Sequence, residues 1–179
     1  MATVTQRLRN IDEHTVQEWA MRYAMVKRSA RLTRSHTRCT LTGWGWRGDV
    51  GNAVLIVSEL VSNAIQHGRV AGHQLALHLT LLECGGLVID VSDPVPDFPD
   101  FAGALARDTD PQHRERGRGL LVAARLGGEI TWFPRRFCGK TVRARLAGAP
   151  DCRRCDDGLC ADSQEPVAAT RAGRPSSGR

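Results

Sequence analysis

Ser58-Glu59-Leu60-Val61-Ser62-Asn63-Ala64-Ile65-Gln66-His67-Gly68 decides how this chain is read. Glu59, Asn63 and His67 are spaced four residues apart. At about 100° per residue they stack along one stripe of a helix, while Val57, Leu60, Val61, Ala64 and Ile65 gather on the opposite arc. One arc is built for burial, and the other carries groups with chemistry. A carboxylate one turn from a carboxamide suits a nucleotide site, where the acid accepts a proton and the amide oxygen ligates Mg²⁺ beside phosphates. The same stripe would also serve as a plain solvated face, so the neighbouring segments have to arbitrate.

Two later segments supply what such a site still lacks. Leu87-Val88-Ile89-Asp90-Val91-Ser92-Asp93 reads as a strand with Leu87, Ile89 and Val91 on one face and Asp93 continuing that face. Pro94-Val95-Pro96-Asp97-Phe98-Pro99 then ends it, because proline has no N–H for the ladder. Asp93 at the end of a buried face can accept a hydrogen bond from an adenine amino group; a turn-forming aspartate is the ordinary alternative. Further on, Gly117-Arg118-Gly119-Leu120 opens an apolar helical run that closes on Gly127-Gly128. Free N–H groups at a glycine-rich helix start cradle phosphate oxygens, although a single Gly-x-Gly is more often a turn.

In this order the three segments resemble the GHKL (Bergerat-fold, histidine-kinase-like) ATPase superfamily, and within it the anti-sigma-factor serine/threonine kinases. The resemblance covers roughly residues 15 to 147. The family's Asn box matches Glu59 to His67, its adenine-binding Asp box matches Asp93, and its glycine box matches Gly117-Arg118-Gly119-Leu120. Gly139-Lys140-Thr141-Val142 is similar to the family's last core strand. The likeness implies Glu59 as catalytic base, Asn63 as the Mg²⁺ ligand, and Asn63, His67, Asp93, Gly117, Arg118, Gly119, Leu120 and Thr141 as nucleotide-binding positions, with ATP and Mg²⁺ as cofactors. It also implies a sigma factor or an anti-anti-sigma (STAS-type) protein as partner, with a homodimer as one arrangement. Two departures stand out. Pro94-Val95-Pro96 follows Asp93 where relatives often have glycine, and Lys140 occupies the place of a base-holding threonine, leaving Thr141 turned the other way by strand parity.

Composition agrees with one domain and tails. The chain has 179 residues, 41% of them hydrophobic, enough for one core, and no apolar run near the ~18 residues of a membrane span. The polar start, Met1 to Arg7, has no signal-peptide pattern, so the expectation is a cytoplasmic protein. Cys39, Cys84 and Cys138 fall in predicted helix or strand as reduced thiols. Cys152, Cys155 and Cys160 cluster in a polar, small-residue segment, where the ligand count falls short of a structural zinc site. Residues 148 to 179 read as a disordered tail, and 1 to 14 as an N-terminal tail.

The net charge of +6 belongs to the domain, since five acids and five bases cancel beyond residue 150. Residues 22 to 48 hold Arg22, Lys27, Arg28, Arg31, Arg34, Arg38 and Arg47 without one acid, a basic face suited to an acidic protein partner. No nucleic-acid motif accompanies it, so direct nucleic-acid binding is not expected.

The expected fold is an α/β (α+β) two-layer sandwich, a mixed sheet covered on one face by helices. Residues 14 to 27 are ambiguous between strand and helix; 29 to 42 form a basic helix, and Asp49 caps the helix that runs to His67. Leu75, Leu77, Leu79 and Leu81 alternate as a strand that turns at Cys84-Gly85-Gly86 into Leu87 to Ser92. A connection of about 25 residues from Asp93 to Arg118 suggests a lid over the nucleotide. A helix from Arg118 to Leu126 and a hairpin of Glu129 to Phe133 with Thr141 to Leu146 complete the domain. The leading functional reading is an anti-sigma-type serine/threonine kinase that phosphorylates an anti-anti-sigma partner and so regulates transcription. The alternatives are a non-catalytic nucleotide-binding module acting by sequestration, and the ATPase part of a split sensor histidine kinase.

Overall fold

A computed structural model describes residues 15–99, 101 and 119–148. The elements run β1 (Thr15–Ala24), α1 (Lys27–Gly43), α2 (Val50–His67), β2 (Gln74–Leu82), β3 (Leu87–Asp93), α3 (Gly119–Arg125), β4 (Gly128–Pro134) and β5 (Lys140–Leu146). The five strands form one sheet in the order β1-β2-β3-β5-β4. Every neighbouring pair is antiparallel, which corrects the mixed sheet expected above. The reason is the last hairpin: the chain crosses from β3 through α3 to β4 at the edge, and β5 then folds back between them.

The ambiguous first segment is a strand. Trp19, Ala20, Tyr23 and Ala24 have helical spacing, but Trp19, Met21 and Tyr23 alternate, and they pair with Leu79, Leu77 and Leu75. Pairing with β2 settles what local spacing leaves open, because β-propensity depends on the partner strand. β1 is an edge strand, and most of its residues are exposed.

α2 is the central helix. The Asp49 carboxylate accepts from Asn52 N–H at 2.9 Å, satisfying one of the free donors of the first turn. Its arc of Ala53, Ile56, Val57, Leu60, Val61 and Ala64 is buried against Leu75, Leu77 and Leu79 of β2 and Leu87, Ile89 and Val91 of β3. Each fully buried leucine or valine in this layer contributes about 1.5–3 kcal/mol. The Trp46 indole N–H donates to Gly85 O at 2.9 Å and ties the α1–α2 connection to the β2–β3 turn. That turn needs Gly85, whose φ is +80°.

α1 buries Ser29, Thr33, Thr37 and Leu41, and Arg34 donates from it to Ser58 Oγ of α2 at 3.0 Å; Lys27, Arg28, Arg31, Arg34 and Arg38 are exposed, the basic face expected from the sequence. No helix among the described residues is long and apolar enough to cross a membrane. The N-terminal segment to residue 14, the C-terminal segment from residue 149 with Cys152, Cys155 and Cys160, and the lid apart from its first residues lie outside the described residues.

Candidate functional site

The β3–β5 register dictates which groups share the face beneath α2. Leu87, Ile89, Val91 and Asp93 lie opposite Leu146, Ala144, Val142 and Lys140. Directly opposed residues of an antiparallel pair project to one side, so the apolar ladder ends in an Asp93–Lys140 pair. The intervening residues project the other way: Ser92 Oγ lies 2.8 Å from Thr141 Oγ1, and Arg143 holds both oxygens of Asp90 at 2.7 Å.

At this end of the sheet a cavity of about 460 Å³ opens between α2, β3, β5 and the start of α3. Its size and largely apolar lining are those of a small-molecule site. Leu60 and Ala64 face Val91 and Val142 across it, with Leu120 and Phe98 also in the wall. Asn63, His67, Asp93, Asp97 and Lys140 supply the polar groups.

Asp93 is only 2% exposed and is held on several sides. Its Oδ1 accepts from Val95 N–H at 2.9 Å and from Lys140 Nζ at 3.0 Å, and Nζ also donates to Val95 O at 3.1 Å. Between two prolines Val95 has the one N–H of the Pro94-Val95-Pro96 run, and it is spent on Asp93. The stiff Pro94-Val95-Pro96 segment therefore orients the carboxylate. Two glycines make room for it. A Cβ at Gly68, just past α2, would run into the Asp93 carboxyl group, and one at Gly139, where φ is +80°, into the Asp93 carbonyl oxygen. Phe98, whose ring lies 5.6 Å from Lys140 Nζ, packs on Trp132 of β4 at 6.1 Å between centroids, anchoring the chain after Asp93 to the sheet.

The structure thus brings Asn63, His67, Asp93 and Leu120 together around one cavity, with Gly119 beside Leu120 at the first turn of α3. Asn63 is half-buried and its amide has no hydrogen-bond partner among the described residues, so its oxygen is free to ligate a hard cation. His67 is exposed, at the mouth. Glu59, half-buried one turn before Asn63, shares the stripe but does not line the cavity. Thr141 is not brought in, because its strand position points it to the opposite face, where it meets Ser92. Gly117 and Arg118 lie outside the described residues. Lys140, Gly68 and Val95 were not picked out as site residues from the sequence. The one-residue offset between Lys140 and Thr141, read through strand parity, was the signal available for the first.

A free oxygen ligand, a buried carboxylate, an apolar slot and a nearby helix start together fit a magnesium nucleotide. Among the described residues no group of three His, Cys, Asp or Glu side chains could hold a metal by itself. A cation here would depend on Asn63 together with oxygens of the bound ligand.

Residues 13–146 match the model of the histidine kinase-like ATPase domain. Among solved structures, the chain is similar to the RsbU and RsbW domains of Rv1364c from Mycobacterium tuberculosis, with 19% identity and a TM-score of 0.53, covering 74% of this chain and 33% of that one. It is also similar to the SiaB-SiaC complex from Pseudomonas aeruginosa, with 12% identity and a TM-score of 0.54 over 80% of this chain and 96% of that one. At these identities the likeness is one of fold, and the chain spans about a third of the mycobacterial chain. No curated protein matches it.

Proposed function

Because the chain belongs to the histidine kinase-like ATPase domain family, we propose that its cavity binds ATP with Mg²⁺ and that the protein is an anti-sigma-type serine/threonine kinase. The observation that carries this reading is the convergence of Asn63 and Asp93 on one cavity. Asp93 would accept from the adenine amino group while Leu60, Ala64, Val91 and Val142 enclose the ring. Asn63 would hold Mg²⁺, and backbone N–H groups of Gly117 to Gly119 would cradle phosphates with Leu120 anchoring that turn in the core. Bound Mg²⁺ supplies charge neutralisation on the phosphate oxygens.

Glu59 would then take the proton of an attacking serine hydroxyl. Its place outside the cavity wall, one turn from Asn63 on the half-exposed stripe, suits contact with a group presented by a second protein rather than with the base. In phosphoryl transfer most of the rate comes from positioning and electrostatics, so the partner must bring its serine in line with the terminal phosphate. The partner class we propose is an anti-anti-sigma (STAS-type) protein, with a sigma factor as the regulated target and a cytoplasmic setting. The resemblance in sequence motifs and the fold shared with an RsbW-containing chain support this choice.

One observation favours a second reading, a nucleotide-binding module that acts by sequestration without turnover. Asp93 is ion-paired to Lys140 and followed by Pro94-Val95-Pro96, so the Asp box departs from the pattern of the kinases the chain resembles. Incubation with γ-labelled ATP, Mg²⁺ and STAS-type proteins separates the two. Label on a partner serine supports the kinase, whereas tight ATP binding with no label on any such partner supports sequestration.

A further inference from the structure

We propose that Lys140 is a second base-reading residue, donating to N1 of adenine while Asp93 accepts from the neighbouring 6-amino group. The inference rests on the ATP reading of the cavity. An adenine edge presents an acceptor, N1, beside a donor, the 6-amino group, and Asp93 answers only the donor. Lys140 stands directly opposite Asp93 on β5, and both line the same end of the cavity.

The hydrogen-bond inventory leaves one group of each kind open. An ammonium has three N–H donors. Two are taken by Asp93 Oδ1 and Val95 O, and the third has no hydrogen-bond partner among the described residues. On the carboxylate, Oδ1 accepts both available bonds while Oδ2 accepts none from the described residues. Among the described residues, the pair that lines the cavity thus has one ammonium donor and one carboxylate oxygen without a hydrogen-bond partner, and the ammonium lies 5.6 Å from the centre of the Phe98 ring in the same wall.

The opposite face of the sheet shows what an arginine does in the equivalent arrangement. Arg143 forks onto Asp90 and occupies both carboxylate oxygens. A guanidinium at 140 would consume Asp93 in the same way, whereas a compact ammonium binds one oxygen and leaves the other free. In a chain whose 25 basic residues include only two lysines, one of those two is at this position.

The test compares ATP with 1-deaza-ATP, in which a C–H replaces N1, by equilibrium titration of the full chain in the presence of Mg²⁺. Lys140 as a reader predicts binding of 1-deaza-ATP roughly 10- to 100-fold weaker than ATP, the worth of one charge-assisted hydrogen bond. Lys140→Met keeps most of the apolar stem and removes the donor, so it should bind both nucleotides with equal, reduced affinity. The wild-type comparison stands alone if that variant does not fold. Equal wild-type affinity for the two nucleotides overturns the role of Lys140 while leaving the ATP site intact. Tighter binding of GTP than ATP overturns it too, since the free N–H would then be serving a 6-oxo group. Failure of wild type to bind any of these nucleotides overturns the ATP reading itself, and this proposal with it.

Discussion

Lys140 Nζ sits 3.0 Å from Asp93 Oδ1, with side chains only 7% and 3% exposed, so the candidate site is floored by a buried ion pair rather than a lone carboxylate. Removing one partner of such a pair strands a charge in the interior, at a cost of about 3–5 kcal/mol, whereas removing both leaves a neutral, if imperfectly packed, site. Asp93→Ala should therefore lower the stability measured by denaturant unfolding by about that amount. Asp93→Ala/Lys140→Met should recover a large part of the loss; equal losses in the single and double variants would show that the two groups are not coupled.

Gly68 is predicted to be needed for the placement of the Asp93 carboxylate. A Cβ there meets the Asp93 carboxyl group and, at 2.8 Å, the Ala64 carbonyl oxygen, both of them fixed. Gly68→Ala should cost about 1–3 kcal/mol through overpacking and displace Asp93, with a parallel loss of nucleotide affinity. Unchanged unfolding midpoint and affinity would mean that the end of α2 yields freely.

Glu59 separates chemistry from binding. Glu59→Gln keeps size and polarity but not proton acceptance, and the residue lies outside the cavity wall. Phosphoryl transfer to the partner should fall ~10²–10⁴-fold while ATP affinity is little changed. Undiminished transfer would leave Glu59 with no role in proton removal.

Tyr23, the sole tyrosine of the chain, reports on the packing of β1 against α1. Its hydroxyl lies 2.7 Å from His36 Nδ1, and burial pushes its pKa up from 10.0 to about 12. The unfolded chain then ionises first, so between pH 10 and 12 the native state retains more protons and stability falls as pH rises. Ultraviolet titration of tyrosinate should give a midpoint near 12 in the native protein and near 10 in denaturant. A native midpoint near 10 would show an open Tyr23.

Much of this was legible in the sequence because it depends on local periodicity. The α2 stripe, its Asp49 cap and the β2–β3 hairpin follow from spacing and turn residues alone. β1 was not legible, since Trp19, Ala20, Tyr23 and Ala24 offer a helical spacing while Trp19, Met21 and Tyr23 offer an alternating one, until β2 pairs with them. Parity turned Thr141 away from the base side and put Lys140 in its place, yet the bonds of Lys140 to Asp93 and Val95, 47 and 45 positions away, form only once the β3–β5 register has brought the strands together. Gly68 is legible as a helix end, but its closeness to Asp93 belongs to the tertiary fold.

The central claim is that the cavity beneath α2 holds ATP through Mg²⁺ and Asn63. Calorimetric titration of ATP into wild type and Asn63→Ala, with Mg²⁺ and with chelator, tests it most directly, because Asn63 lies off the apolar arc and its loss should leave the fold intact. The account predicts one ATP per chain, binding that weakens sharply when Mg²⁺ is removed, and an Asn63→Ala variant that keeps its unfolding midpoint but loses the Mg²⁺-dependent affinity. Wild-type ATP binding that is absent, or indifferent both to Mg²⁺ and to Asn63→Ala, would contradict it.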